Sequence, residues 1–300
     1  MTWSLASYTA AGTPGFGVLR ADGTLVAPPD LKRWPSPLEL LEDWSAAEPV
    51  LRDLDVENAP AVEYDALLAP LRWPRKVICA GVNYRKHMLE MGGELPGSGW
   101  YPFFFLKAPT TSVIGPHDPI VISAAARARY DWEAELAVVI GTKGKNIPAE
   151  RALFHAAAYC VSNDITARGY HKREAPPADA FSYDWFAAKS AEGSLPLGPG
   201  LTPAFLVTDP QDLRLRLWVN GKLQQDESTA DMVCTVAELI AAASEVVTLE
   251  PGDVIATGTP SGVGVARGLY LRGGDVVRVS IDGLGALENP VIEATEEEPS

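Results

Sequence analysis

The chain is poor in the residue types that most often announce a function. Only three of its 300 residues are cysteine, Cys79, Cys160 and Cys234. Their number is odd, their spacing suits neither a disulfide framework nor a thiolate metal site, and each stands among apolar neighbours as a buried thiol does. A reducing, cytoplasmic setting is the simplest expectation. No run of 18 apolar residues occurs, which leaves no sequence for a membrane-spanning helix, and "MTWSLASYTAAGTPGFGVLR" lacks the basic start and apolar core of a signal peptide. Positive charge is scarce as well: 25 Lys and Arg stand against 39 Asp and Glu, a net charge of −14. That balance disfavours nucleic acid and anionic membrane as partners. Part of the acidic excess lies in "EATEEEPS" at 293–300, which reads as a frayed tail. The Gly-rich run "ATGTPSGVG" at 256–264 has no Gly-Lys-Ser/Thr, so nucleotide binding is not expected, and no repeat of fixed period occurs.

What the chain does have is an apolar fraction of 47%, enough to bury the core of a large domain with a smaller one attached. Residues 1–70 read as a small N-terminal αβ domain. Within it "FGVLRADGTLVA" forms two short strands about Asp22-Gly23, and "SPLELLEDW" opens a helix with Ser36 as N-cap and Glu39 at capping-box spacing. The Pro-broken "APLRWPRK" at 69–76 reads as a linker, so the main domain spans 71–300. There "KVICAGV", "ELAVVIG", "AAAYCVSND" and "AFLVTD" read as strands, and "LRLRLWVNGKLQQ" as a hairpin turning at Asn220-Gly221. "PAERALFHAAA" reads as a helix from Pro148, and "TVAELIAAASEV" as one that Thr235 and Glu238 cap reciprocally. Strands outnumber helices and do not alternate with them, which predicts an α+β, mainly β fold with a mixed or antiparallel sheet.

Four segments carry candidate chemistry. In "YDWEAELAVVIG" a strand would set Glu133 and Glu135 on one face, with Asp131 one step further. Like charges so close repel, and a bound divalent cation relieves the repulsion while keeping both ionised. Asp164, in "VSNDITARG", emerges from a second apolar strand. Carboxylates without His or Cys partners suit magnesium, manganese or calcium rather than zinc. The same Glu-x-Glu pair also fits the solvated face of an edge strand. In "GVNYRKHMLEMGGELPGSGW", Asn83 can cap a helix on which His87 and Glu90 share a face, the geometry of a general-base dyad, followed by Gly and Pro residues that suit a mobile lid. An incidental pair on an exposed helix reads the same way. Lys189 lies in an apolar stretch, either snorkelling or holding a substrate carboxylate or enolate. The 256–264 turn would let amides and the Thr257 and Thr259 hydroxyls approach a small anion.

Taken in order, "GVNYRKHMLE", "PFFFLKAPTTSVIGP", "YDWEAELAVVIG", "SNDITARG", "WFAAKSAEGSLPLGP", "VNGKLQQD" and "TGTPSGVG" resemble the fumarylacetoacetate hydrolase family over residues 76 to about 291. The resemblance implies a mixed β-sandwich roll, a homodimer, and a magnesium or manganese site at Glu133, Glu135 and Asp164, with calcium as a substitute in vitro. It further implies a water-activating lid dyad at His87 and Glu90, and an active-site lysine at Lys189. Tyr84, Lys107, Arg168, Gly258 and Thr259 fall at positions of substrate contact. Val82, Gly169 and His171 depart from the residues common in the family and leave the substrate's identity open.

The function so implied is hydrolytic carbon–carbon cleavage of a 2,4-dioxo acid, of the acylpyruvate or diketo-deoxy sugar acid type, to pyruvate and a second product. The same site would also serve a decarboxylase or tautomerase of oxaloacetate or a hydroxymuconate-type dioate. A metal-binding scaffold without turnover is the third reading.

Overall fold

The computed structural model describes residues 2–97, 99–123, 125 and 128–294. Most of the acidic stretch at 293–300 lies outside them. The N-terminal residues form β1 (Trp3–Ala10), β2 (Thr13–Arg20), β3 (Leu25–Val26), α1 (Pro37–Glu42), α2 (Trp44–Arg52) and β4 (Ala66–Leu68). As expected, β2 and β3 pair about Asp22-Gly23, with Val18 opposite Val26, and Ser36 caps α1 by accepting the Glu39 N–H. Helix residues Leu40, Leu41, Ala47 and Leu51 bury against Leu5 and Val18.

The larger part contributes β5 (Val77–Gly81), β6 (Phe103–Lys107), β7 (Val113–Ile114), β8 (Ile120–Ile122), β9 (Tyr130–Asp131), β10 (Ala134–Ile140), β11 (Ala156–Asn163), β12 (Thr166–Ala167), β13 (Leu195–Pro203), β14 (Arg214–Val219), β15 (Lys222–Ser228), β16 (Val254–Ala256), β17 (Val276–Ile281) and β18 (Gly285–Glu293). Its helices are α3 (Arg85–Glu90), α4 (Ala149–Ala152), α5 (Arg168–His171), α6 (Trp185–Lys189) and α7 (Val236–Val246). A long sheet runs β3-β2-β1-β13-β11-β10-β16-β5-β6, and a five-stranded sheet runs β15-β14-β17-β18-β8. Most neighbours are antiparallel, while β5 with β16, β7 with β13 and β8 with β18 are parallel. The class is therefore α+β, mainly β, with mixed sheets.

Strand β10 shows why its sequence does not alternate polar with apolar. Leu136, Val138 and Ile140 face a core shared with Leu215, Leu217, Val277 and Val279 of the second sheet. Ala137 and Val139 face the other way, onto the core shared with the N-terminal helices. A strand buried on both faces has no wet side.

Two expected elements differ. "PAERALFHAAA" gives only the one-turn α4 and a 3-10 turn at 153–155, after which the alanines from Ala156 enter β11. Pairing with β10 and β13 outweighs their helix propensity. "AFLVTD" forms a 3-10 turn at 204–206 rather than a strand, because β13 ends at Pro203, which has no N–H to continue a ladder. The Asn220-Gly221 hairpin stands as expected, with both turn residues at positive φ, 52° and 74°.

Helix α7 has the complete capping box: Thr235 Oγ1 accepts the Glu238 N–H and Glu238 Oε2 accepts the Thr235 N–H. Thr235→Ala is expected to cost about 1 kcal/mol and lower the thermal midpoint by about 2 °C, with activity unchanged.

Candidate active site

The site is built where β10 begins and β11 ends. In their antiparallel ladder Ala134 faces Asn163 and Glu135 faces Ser162, so Glu133 and Glu135 come to the same end of the sheet as Asp164. Two hydrogen bonds lock the crossing: Asp164 N–H donates to the Glu133 carbonyl at 2.8 Å, and Glu133 N–H to Asn163 Oδ1 at 2.9 Å. One oxygen from each of Glu133, Glu135 and Asp164 lies within 4.8 Å of the others. All three residues are buried, at 6%, 1% and 0% exposure.

Three cations answer this charge. Lys189 Nζ, at the end of α6, bridges Glu133 Oε2 and Asp164 Oδ2 at 2.7 Å each. Lys107 Nζ, at the end of β6, donates to Asp164 Oδ1 at 2.6 Å. Arg168, opening α5, pairs with Glu133 and Asp131. Burial alone would raise the Glu133 pKa, but the Lys189 and Arg168 charges outweigh it and hold the carboxyl at about 2. Glu135 fares differently: burial, then the charges of Asp164 and Glu133, push it well above the usual carboxylate range. Among the described residues its carboxylate accepts one hydrogen bond, from Gly258 N–H at 2.8 Å. An all-carboxylate donor set with one negative charge unmatched fits a hard divalent cation such as Mg2+, Mn2+ or Ca2+.

Asp131 is not part of this cluster. The ladder is interrupted at Trp132 and Glu133, between β9 and β10, so strand alternation does not carry through, and Asp131 turns to another set of donors. Fully buried, it accepts the N–H groups of Gly264 at 2.6 Å and Val265 at 3.0 Å and Arg168 Nε at 2.9 Å.

His87 and Glu90 meet on α3, with Nδ1 3.2 Å from Oε2, and Glu90 also accepts the Gly262 N–H. Asn83 does not cap α3. Its side chain is fully buried, donates to the carbonyls of Cys234 and Thr257, and accepts the Cys234 N–H. Asn83 and Glu90 thereby fasten the helix to the 257–262 loop. In that loop Thr257 Oγ1 donates to the Leu136 carbonyl, and the amides of Gly258, Gly262 and Gly264 bind the protein's own carboxylates. They are thus spent before any anion arrives. At Gly258, with φ of 92°, a Cβ would press on Asn83, so only glycine suits the turn.

A cavity of about 260 Å³ joins these groups; His87, Glu133, Glu135, Arg168, Lys189 and Thr259 all line it. Other expected residues stand behind its wall. Lys107 lies beneath Asp164, Tyr84 is fully buried with its hydroxyl unpartnered among the described residues, and Gly258 serves Glu135 through its amide. Of the departures noted in the sequence, Val82 and His171 line the cavity, whereas Gly169 does not. The His171 ring packs edge-on to Trp185 at 4.2 Å, and burial, with the charges of Arg168 and Lys189, lowers its pKa. Arg129 and Tyr270 also line it; no motif spacing pointed to either.

Residues 76–292 match the family described as fumarylacetoacetate (FAA) hydrolase C-terminal. The mitochondrial oxaloacetate tautomerase fahd2 of Xenopus laevis is 44% identical over 229 residues, which cover 76% of this chain and 68% of that protein. Among solved structures, a fumarylacetoacetate hydrolase from Exiguobacterium antarcticum superposes with a TM-score of 0.82 at 36% identity, covering 98% of this chain and 100% of that one. Maleylpyruvate hydrolase from Sphingobium sp. SYK-6, solved with manganese(II) and pyruvate, gives 0.73 at 28% identity over 98% and 100% of the two chains.

Because Glu135 holds a proton more tightly when folded, the metal-free protein should lose stability as pH rises from the carboxylate range through the Glu135 value. Manganese at about 100 times its Kd should restore about 2.7 kcal/mol. Glu135→Gln should flatten the pH dependence and abolish the manganese-induced rise in thermal midpoint. A variant that keeps the full rise contradicts the assignment.

Proposed function

Since this chain belongs to the fumarylacetoacetate hydrolase family, we propose that it is a divalent-metal-dependent enzyme of small 2-oxo acids and that its reaction is the keto–enol tautomerisation of oxaloacetate. The observation that carries this reading is the buried cluster of Glu133, Glu135 and Asp164, of which Glu133 and Glu135 line one cavity with His87. The choice of reaction draws support from the 44% identity with an oxaloacetate tautomerase, against 36% and 28% with the two hydrolases of solved structure. Hydrolytic cleavage of a 2,4-dioxo acid, the leading expectation from sequence, becomes the second reading, and the 2-oxo acid substrate class is common to both.

Glu133, Glu135 and Asp164 would hold the ion. When bound, a divalent cation there supplies Lewis-acid polarisation of the carbon-2 oxygen. The protein's own part is to move a proton, since the two tautomers of oxaloacetate differ only in whether it sits on that oxygen or on carbon 3. Glu90, oriented by Gly262 N–H, places the His87 hydrogen on Nδ1 and leaves Nε2 as the acceptor. Nε2 takes the proton from one position and returns it to the other. Burial would raise the Glu90 pKa, but its hydrogen bonds to His87 and Gly262 outweigh this and lower it, so an anion faces the imidazolium as it forms. Burial would likewise strip Lys189 of its proton, yet Asp164 and Glu133 raise its pKa. It therefore acts as a fixed positive charge for the oxygen where negative charge develops, not as a base.

Hydrolysis would use the same dyad to deliver water to a 4-carbonyl, and decarboxylation would need no attacking water. With manganese present, the absorbance of enol oxaloacetate should decay faster with the protein than without it. His87→Ala should slow that decay by about 100-fold or more while manganese binding persists. Oxygen-18 from solvent entering the acid product of an acylpyruvate at a higher rate would favour hydrolysis, carbon dioxide release would favour decarboxylation, and manganese binding without turnover would leave a scaffold.

A further inference from the structure

Three permanently charged cationic side chains line the cavity among the described residues: Arg129, Arg168 and Lys189. Arg168 is engaged by Asp131 and Glu133, and Lys189 by Glu133 and Asp164. Arg129 forms no ion pair among the described residues. Its guanidinium carbon stands 5.6 Å from the centre of the Tyr270 ring, a contact with the aromatic face that leaves its N–H groups for another acceptor.

The backbone holds this residue in place. Strands β9 and β12 pair with Thr166 opposite Asp131 and Ala167 opposite Tyr130. Beyond the pair, Arg168 N–H donates to the Arg129 carbonyl at 3.1 Å and Gly169 N–H to the Ala128 carbonyl at 2.9 Å. Within this clamp Arg129 has φ of 47°, a left-handed conformation that a side-chain-bearing residue keeps only where its surroundings hold it. Arg129 and Tyr270 also line the neighbouring cavity of about 810 Å³, so they stand where the two cavities adjoin.

We propose that Arg129 binds the distal carboxylate of the substrate and makes the site selective for 2-oxo dicarboxylates over 2-oxo monocarboxylates. This rests on the reading above in placing the 2-oxo acid end of the substrate at Glu133, Glu135 and Asp164. Arg129 is exposed at the edge of the cavity, and a second carboxylate reaching that edge would be bound best by a cation not already neutralised. Arg129 is that cation, and its planar fork suits a carboxylate.

Malate and lactate share a 2-hydroxy acid end and differ in the distal carboxylate, so they report binding without turnover. In calorimetric titrations of the manganese-loaded protein, the wild type should bind malate about tenfold more tightly than lactate. Arg129→Gln should abolish that preference by weakening malate alone, and Arg129→Lys, which keeps the charge without the fork, should fall between. The KM for oxaloacetate should rise by about the same factor in Arg129→Gln with kcat retained. No preference in the wild type, an undiminished preference in Arg129→Gln, or equal weakening of both ligands overturns the proposal. A protein that binds malate through Arg129 yet leaves oxaloacetate unchanged overturns the reaction proposed above and not the role of Arg129.

Discussion

The constraint on which the site depends is the convergence of three carboxylates at one end of a sheet buried on both faces. Removing a carboxylate from water costs several kcal/mol even after relaxation, which is comparable with the whole stability of a domain. The fold answers most of this cost from within, by bringing Lys107 from β6, Lys189 from α6 and Arg168 from α5 onto Glu133 and Asp164. Among the described residues, Glu135 is the one carboxylate of the three without an ion-pair partner. An ion bound there would therefore be coupled to folding, because the charge that completes the cluster would also relieve its repulsion.

A second dependence follows from the loop at 257–265. Its backbone amides reach Glu135 through Gly258, Glu90 through Gly262, and Asp131 through Gly264 and Val265. One segment thus sets the carboxylate cluster, His87 through Glu90, and the Arg168 anchor in register. Glycine is required where the loop crowds its neighbours: at Gly262, with φ of 103°, an added Cβ would meet the Gln224 carbonyl. The loop looked from sequence like a cradle for a substrate anion, and what it holds are side chains of the protein itself. Of the groups expected to greet the substrate there, Thr259 reaches the cavity, its hydroxyl oxygen accepting from Gln225 Nε2.

How legible the site was in the sequence depended on whether its spacing is local. Glu133 and Glu135 are two residues apart in an extended segment, and His87 and Glu90 three apart on a helix, so each pair could be read from periodicity alone. Asp164 could be found because it follows an apolar strand. Arg129, Tyr270 and the role of Asp131 are set by the joining of distant segments, which leaves no local pattern. Asn83 shows the opposite failure: a residue type that favours helix caps was drawn instead into buried hydrogen bonds with residues more than 150 positions away. In the fold, the Ser36 N-cap, the Thr235 capping box and the Asn220-Gly221 turn were readable because their chemistry is contained within a few residues. The alanines after His155 were read both as the end of a helix and as the start of a strand, and pairing with β10 and β13 decides for the strand.

The account stands on a single divalent ion shared by Glu133, Glu135 and Asp164. Crystals soaked in manganese and measured near its absorption edge test this most directly. The account predicts one anomalous peak per chain, at coordination distance from an oxygen of each of the three residues and opening onto the cavity lined by His87. A peak elsewhere, or none at saturating manganese, would contradict it.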